Sequence, residues 1–202
     1  MSAHHAVIEP GAGGALLLLH GRGGTEGDLV GIARAIAPTR PLVSPRGREP
    51  EGAGWAWFRH VRIGIPVRES LDERLGELSG WLDAIIEAEG VPQPLTAVGF
   101  SNGGMMAGAL LAARPDLVEG VALVAGAYPL PDDLLPEGRL TGRRVLALRG
   151  ARDPFFDEDQ LDAGAAGYRA AGAEVEVDVD PDGGHGLTPG QAGRLEAWLS
   201  RS

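Results

Sequence analysis

The spacing of apolar residues alternates between two patterns along the chain, and this alternation predicts strands and helices in turn. A continuous apolar run that ends in glycine is typical of a strand buried on both faces of a sheet. Apolar runs predict strands at 15–19, 95–98, 120–125 and 144–148, and the segment 41–44 is a candidate for a further short strand. The run from Glu174 to Val179 alternates acid with valine, which predicts a strand at the edge of the sheet with one face in water.

Apolar residues three and four positions apart predict the helices between these strands. Ser70 and Glu73 have the spacing of a capping box, which predicts that a helix begins there. Thr188, Pro189 and Gln191 combine an N-cap residue, a proline at the first helical position and a glutamine at the third, as expected where the last helix begins. The predicted helices cover 28–37, 70–89, 105–111, 160–171 and 188–199.

The order of these elements predicts the fold class. Strands separated by helices pair in parallel through right-handed crossovers, so we expect an α/β protein with an open, mostly parallel sheet and helices on both faces. A chain of 202 residues with 44% hydrophobic content is expected to form a single domain over 1–202. The segment 45–66 is rich in glycine, proline and arginine and is predicted to be a loop.

Charge and cysteine content narrow the classes of partner. A formal net charge of −10 disfavours binding to nucleic acid and to anionic membranes, because their phosphates would repel such a surface. The sequence contains no cysteine, which excludes disulfides, a thiolate nucleophile and cysteine-based metal sites. The first residues lack the basic and apolar regions of a signal peptide, so we expect a cytoplasmic protein without membrane insertion.

The run 95–98 leads directly into a serine flanked by glycines. The sequence Gly99 to Gly104 (GFSNGG) lies between a predicted strand and a predicted helix, and a serine on so sharp a turn has its hydroxyl exposed. Glycine is favoured on both sides because a Cβ there would collide with neighbouring backbone. A chain with 32 glycines produces this pattern by chance fairly often, so the flanking strand and helix carry the assignment of Ser101 as the candidate nucleophile.

A serine hydroxyl needs a base in contact with it, and imidazole titrates in a suitable range. His185 lies in the loop after the last predicted strand, where the functional groups of such sheets gather, and is the candidate base. Asp153, in the loop after the strand at 144–148, is the candidate carboxylate that orients the imidazole. The order Ser101, Asp153, His185 is the order that α/β-hydrolases use.

Other histidines and acids are weaker candidates for these roles. His20 ends the first strand and is expected to brace the glycine loop 21–24 from beneath, and His60 has no predicted strand before it. Asp153 itself has the simpler interpretation of a turn residue before Pro154. The remaining candidates are two histidines near the amino terminus, two acids at a predicted helix start and one acid too close to His185 to reach around it: His4, His5, Asp157, Asp159 and Asp182.

The intermediate formed by serine attack carries an oxyanion that needs two N–H donors already in place. The backbone N–H of Asn102 directly follows the candidate nucleophile at a helix start. The second donor is expected from the backbone of Arg22 or, alternatively, of Gly23. A simple tight turn or a phosphate-binding loop is the other interpretation of this glycine loop, although the spacing of neither Walker A nor dinucleotide-binding motifs is present.

Six segments in order along the chain carry a resemblance to a known family. They are LLLLHGRGG, SPRG at 44–47, WAWF, GFSNGG, RGARDP and GGHGLT. With these segments the sequence resembles the phospholipase/carboxylesterase family of α/β-hydrolases, which includes bacterial carboxylesterases and acyl-protein thioesterases. The resemblance implies an α/β-hydrolase fold without a separate cap domain, and hydrolysis of carboxylic esters, in some members of thioesters or lysophospholipids, without a cofactor or metal. It implies a Ser101, Asp153, His185 triad with an oxyanion hole formed by the N–H groups of Arg22 and Asn102.

Two departures from the family concern specificity. Many members have an apolar residue in place of Arg22 and glutamine in place of Asn102. Both donate through the backbone, so the side chain of Arg22 is free either to face an acidic or polar substrate group or to lie in solvent. The aromatic side chains of the segment 45–66 are expected to form an apolar wall for an acyl or aryl group, or alternatively to pack in the core; they are Trp55, Trp57 and Phe58.

The sequence therefore predicts a serine carboxylesterase that acts on small or medium ester substrates through an acyl-enzyme. Two alternatives stay open at this point. The same triad could cleave a thioester or a lysophospholipid, or the chain could be a binding module that keeps the fold without turnover. We expect a monomer or a homodimer.

Overall fold

The computed structural model describes residues 4–155 and 158–201 and contains a central seven-stranded sheet. The strands are β1 (Ala6–Glu9), β2 (Leu16–Leu19), β3 (Leu42–Pro45), β4 (Glu49–Glu51), β5 (Gly54–Ala56), β6 (His60–Arg62), β7 (Ile65–Pro66), β8 (Leu95–Phe100), β9 (Val118–Val124), β10 (Arg144–Gly150) and β11 (Glu174–Asp180). The helices are α1 (Val30–Ile36), α2 (Arg68–Glu89), α3 (Asn102–Ala113), α4 (Glu158–Ala170) and α5 (Pro189–Leu199), with a 3₁₀ turn at Asp132–Leu134.

The order of strands in the sheet is β1-β3-β2-β8-β9-β10-β11. All neighbouring pairs are parallel except β1 with β3, which is antiparallel with Ala6 opposite Pro45. The fold class expected from the alternation of strands and helices is confirmed, and β11 lies at an edge as predicted. The strands β2 and β8 are neighbours in the middle of the sheet, so the loops that follow them meet at the same edge.

The sheet divides the core into two apolar clusters. Leu16 and Leu18 point toward one face, which α1 and α5 cover with side chains that include Trp198. Leu17 and Leu19 point toward the other face, which α2, α3 and α4 cover. Because successive side chains of a strand alternate between faces, a run of four buried leucines serves both clusters. In the part of the chain that the structure describes, no helix is long and apolar enough to cross a membrane.

One of the two predicted capping boxes is confirmed and the other is wrong. Thr188 Oγ1 accepts from the N–H of Gln191, and Gln191 Oε1 accepts from the N–H of Thr188. The helix α2 instead begins at Arg68, before Ser70. Ser70 Oγ is turned away from its own helix because it accepts from the N–H of Arg59 at 3.0 Å. The hydroxyl that the sequence pattern assigned to a helix cap is instead bound by the backbone of Arg59, outside α2.

The segment 45–66 differs from its prediction. It contains two antiparallel hairpins, β4 with β5 and β6 with β7, instead of a continuous loop. Their strands are two or three residues long, too short for a hydrophobic pattern to reveal. The edge strand β1 was also not predicted from the sequence, because its four residues form a strand only by pairing with β3.

Removal of the Thr188 hydroxyl should weaken the start of α5. Thr188→Ala loses the bond to the N–H of Gln191 and a second bond to Asp180 Oδ2 at 2.6 Å, so we expect the free energy of unfolding to fall by about 1 kcal/mol. Urea denaturation at neutral pH measures the change. Thr39→Ala, at an exposed position, is the control and should stay within about 0.5 kcal/mol of the unsubstituted protein. Equal stability of the two variants would contradict the capping role.

Candidate active site

The serine at the end of β8 lies on a strained turn. Ser101 has a φ of 52° and a ψ of −115°, a conformation that residues with a side chain rarely adopt. The turn packs backbone against backbone, because a Cβ on Gly103 would lie 2.1 Å from the carbonyl oxygen of Leu19. A Cβ on Gly99 would lie 2.3 Å from the carbonyl oxygen of Gly103. The glycines around Ser101 are therefore required by close packing between the turn, its strand and β2.

The structure brings Ser101, His185 and Asp153 together from three separate loops. The distance from Ser101 Oγ to His185 Nε2 is 3.0 Å, and His185 Nδ1 lies 2.8 Å from Asp153 Oδ2. The other carboxylate oxygen of Asp153 accepts from the N–H of Phe155 at 2.9 Å. The side chain of Asp153 is fully buried, whereas His185 is 20% exposed. In this arrangement the carboxylate accepts a hydrogen bond from Nδ1–H, and the unprotonated Nε2 is the acceptor for the serine hydroxyl.

The glycine loop after β2 is held by its backbone. The N–H of Gly23 donates to the carbonyl of Trp55 at 2.8 Å, and the N–H of Trp55 donates to the carbonyl of Gly24 at 3.0 Å. Gly23 is thereby engaged and is no longer available as an alternative donor. Among the described residues no acceptor lies opposite the N–H of Arg22 or of Asn102, and both residues line the cavity at Ser101.

His20 has the supporting position expected for it. It is buried, its Nδ1 lies 2.7 Å from the carbonyl oxygen of Gly21, and its Nε2 accepts from the N–H of Gly47 at 2.9 Å. Since the partner at Gly47 is a donor, the imidazole is neutral with its proton on Nδ1. Burial lowers the pKa of His20, which favours the same neutral form. The ring therefore ties the glycine loop to the segment after β3.

The aromatic residues of the segment 45–66 divide between the site and the protein interior. Phe58 lines the cavity of about 200 Å³ at Ser101, whereas Trp55 and Trp57 are not among its wall residues. Trp57 is buried, and its indole N–H donates to the carbonyl oxygen of His20 at 2.8 Å. The ring of Trp55 lies under the guanidinium of Arg46, 4.5 Å from its centre. The expectation of a wall formed by all three rings is corrected: both tryptophans hold the loops around the site.

The sequence did not predict the hydrogen bonds that join Asn102 to Trp57 and to His60 at the site. Asn102 Oδ1 accepts from the N–H of Trp57 at 2.7 Å, so its Nδ2 must face His60 Nε2, 3.1 Å away. The amide orientation makes Nε2 an acceptor and requires a neutral His60. Burial and the positive charge of Arg22 lower the pKa of His60, in agreement with that form. The one signal in the sequence was that Asn102 is its only asparagine.

The remaining candidates occupy other positions. Asp182 pairs with Arg152, Asp159 lies in the first turn of α4, and the ring of His4 packs against Trp81 in a tilted arrangement. Asp157 lies outside the described residues. Arg22 approaches Glu51 at 3.6 Å with both side chains nearly half exposed, which is a weak ion pair. Within 4–155 and 158–201, no group of three or more histidine, aspartate or glutamate side chains is arranged to hold a metal ion.

The chain is similar to one described family and to several known proteins. Residues 3–199 match the sequence profile of the family described as Phospholipase/Carboxylesterase. The chain is 32% identical over 188 residues to MhqD of Bacillus subtilis (strain 168), covering 93% of this chain and 92% of that protein. It is 30% identical over 185 residues to Esterase YpfH of Escherichia coli (strain K12), covering 85% and 75%. The crystal structure of the Bacillus cereus carboxylesterase superposes with a TM-score of 0.87 at 27% identity, covering 98% and 94%.

Loss of the Asn102 side chain should destabilise the protein more than a change at its partner His60. Asn102→Ala leaves the buried N–H of Trp57 without its acceptor, so we expect the free energy of unfolding to fall by about 1–3 kcal/mol. His60→Gln is the matched control, because it keeps an acceptor for Asn102 at a half-buried position. Urea denaturation of both variants measures the difference, and equal losses would argue against the bond to Trp57 as the stabilising contact.

Proposed function

Since the chain belongs to the phospholipase/carboxylesterase family of α/β-hydrolases, we propose that it hydrolyses carboxylic esters with Ser101 as nucleophile, His185 as general base and Asp153 as the orienting carboxylate. Family membership supports a carboxylesterase-type hydrolase over a binding module without turnover. The observation that carries the triad is the continuous series of contacts from Ser101 Oγ through both nitrogens of His185 to the buried Asp153.

The proposed reaction proceeds through two half-reactions. His185 Nε2 takes the proton of Ser101 while Oγ attacks the ester carbonyl carbon, and Asp153 stabilises the imidazolium that forms. Collapse of the tetrahedral intermediate breaks the bond to the alcohol oxygen, which receives the proton from Nε2. The acyl group is then an ester of Ser101. Water gives a proton to His185 Nε2 as its oxygen attacks the carbonyl carbon of this ester. The second tetrahedral intermediate then breaks its bond to Ser101 Oγ, which takes the proton back from Nε2, and the carboxylic acid leaves.

The backbone N–H groups of Arg22 and Asn102 are proposed to hold the oxyanion of each intermediate. Both residues line the cavity, and no protein acceptor among the described residues competes for either N–H. Asn102 N–H also lies at the start of α3, where the helix dipole favours negative charge. Donors that are already in place need no reorganisation when charge develops on the carbonyl oxygen. The side chain of Arg22 lies beside the same cavity and is paired only weakly, with Glu51 at 3.6 Å.

The wall of the cavity supports small or medium acyl or aryl groups as substrates. Phe58, Phe100 and Met105 give it apolar surface, while His60 and Arg22 give it polar atoms at one side. The proposed chemistry uses no cofactor, since the triad supplies both nucleophile and base.

Substitution of the nucleophile tests the proposal directly. Ser101→Ala removes the attacking oxygen, and we expect kcat for p-nitrophenyl acetate to fall by a factor on the order of 10⁶. Ser200→Ala, at the exposed end of α5, is the control and should keep full turnover. A fluorophosphonate probe should label the unsubstituted protein and the control but not Ser101→Ala. Turnover at the original level in Ser101→Ala would exclude Ser101 as the nucleophile.

The oxyanion donor of the glycine loop can be tested apart from its side chain. Arg22→Ala removes the guanidinium and keeps the backbone N–H, whereas Arg22→Pro removes the N–H as well. We expect kcat for p-nitrophenyl acetate to be about 10²–10³ lower in Arg22→Pro than in Arg22→Ala. Thermal unfolding of both variants checks that the loop still folds. If the two values of kcat agree in folded variants, the second donor is not the N–H of Arg22.

A further inference from the structure

A second cavity lies between the sheet and the two helices α1 and α5. Its volume is about 470 Å³, compared with about 200 Å³ for the cavity at Ser101, and is in the range of sites that bind small molecules. Most of its wall consists of apolar side chains from β2, β8, α1 and α5. These include Leu16, Leu18, Val98, Ile32, Leu195 and Leu199.

The space exists because α1 presents small or partly packed side chains to the sheet. Ala33 is buried and faces the cavity with only a methyl group. Leu29, Ile36 and Leu187 pack against the core only in part and leave apolar atoms on the cavity wall. Protein interiors normally close such spaces by tight packing, so an apolar cavity of this size is well suited to an apolar ligand.

The second cavity begins next to the proposed catalytic groups. Arg22 and Phe100 line both cavities, and Gly186, which follows His185, lines the second. The ring of Phe100 lies 5.1 Å from the ring of His185. On its other side the ring contacts Gly21, where a Cβ would lie 2.6 Å from Phe100 Cδ1. One aromatic side chain, held between the glycine loop and the proposed base, therefore borders both spaces.

The chemistry of the wall identifies the kind of ligand. The charged side chains on it, Arg22 and Asp28, both lie at the end next to the glycine loop. Beyond them the wall is apolar, and its accessible part is formed by the half-buried side chains of Leu29, Ile32, Ile36 and Leu187. An occupant should therefore be apolar along its length and polar only at the end near Ser101.

We propose that this second cavity binds the aliphatic chain of a medium-chain acyl ester while the ester carbonyl is held at Ser101. The proposal rests on the ester hydrolysis proposed above and adds the substrate class to it. The chain would pass Phe100 and lie beneath the glycine loop between α1 and α5. Each methylene buried there should improve kcat/KM by up to about fourfold.

A chain-length series with and without the cavity tests this inference. Kinetics are measured with p-nitrophenyl acetate, butanoate, octanoate and decanoate below the concentrations at which they form micelles. Ala33→Leu fills the cavity from α1, and the ratio of kcat/KM for decanoate to that for acetate should fall at least about tenfold. Ala35→Leu makes the same change at an exposed position of the same helix and should keep the original ratio.

Ile32→Ser, which makes the half-buried wall polar without adding volume, provides a second test if Ala33→Leu does not fold. It should also lower the decanoate-to-acetate ratio. An unchanged ratio in folded Ala33→Leu or Ile32→Ser would overturn the cavity assignment and leave ester hydrolysis intact. Absence of turnover with every ester, together with absence of fluorophosphonate labelling, would instead overturn the proposed function and this inference with it.

Discussion

The site depends on one close contact between two pieces of backbone. The turn at Ser101 packs against the carbonyls that end β2, and at Gly103 there is room for a hydrogen but not for a methyl group. This contact follows from the pairing of β2 with β8, which sets Leu19 opposite Gly99. Because the two strands are parallel neighbours, the loop with Arg22 and the turn with Ser101 leave the sheet at the same edge. A side chain at position 103 would push the two loops apart and separate the two N–H groups on which the proposed oxyanion hole relies.

Buried polar atoms around Trp57 hold this contact in place. The indole N–H donates to the carbonyl of His20, and the backbone N–H donates to Asn102, so one residue joins the glycine loop to the start of α3. His20 adds a bond from beneath the loop to Gly47. A buried donor without an acceptor destabilises a fold by more than a hydrogen-bonded donor stabilises it. Each of these three hydrogen bonds therefore favours the observed positions of the glycine loop, Trp57 and the start of α3. The hairpin β4–β5 also supports the loop, because Trp55 in β5 pairs with Gly23 and Gly24 through its backbone. The two tryptophans, which were expected from the sequence to face substrate, therefore have structural roles.

The two cavities give the glycine loop a second role. Arg22 lies where they meet, with its backbone N–H directed by the loop and its side chain only loosely paired with Glu51. Phe100, directly before the proposed nucleophile, lines both the small cavity and the larger apolar one. In the proposed arrangement the chemistry would be set by groups at the edge of the sheet, while the length of substrate that fits would be set by the packing between α1 and α5. Reaction and specificity would then be altered by different sets of residues.

The sequence alone determined the features that depend on local patterns. Buried apolar runs identified the central strands, and the strand, turn and helix around Ser101 and the loops after later strands identified His185 and Asp153 as its partners. The capping box at Thr188 could also be predicted from the sequence, because all its atoms lie within four residues. Tertiary structure decided the features that depend on a partner distant in the chain. Ser70 accepts from the N–H of Arg59 instead of capping α2, and β1 forms a strand only by pairing with β3. Trp57 is buried with its indole N–H bonded to the carbonyl oxygen of His20. The link from Asn102 to His60 and the cavity beneath the glycine loop arise in the same way, since each is made by elements far apart in the chain that meet only when the sheet has formed.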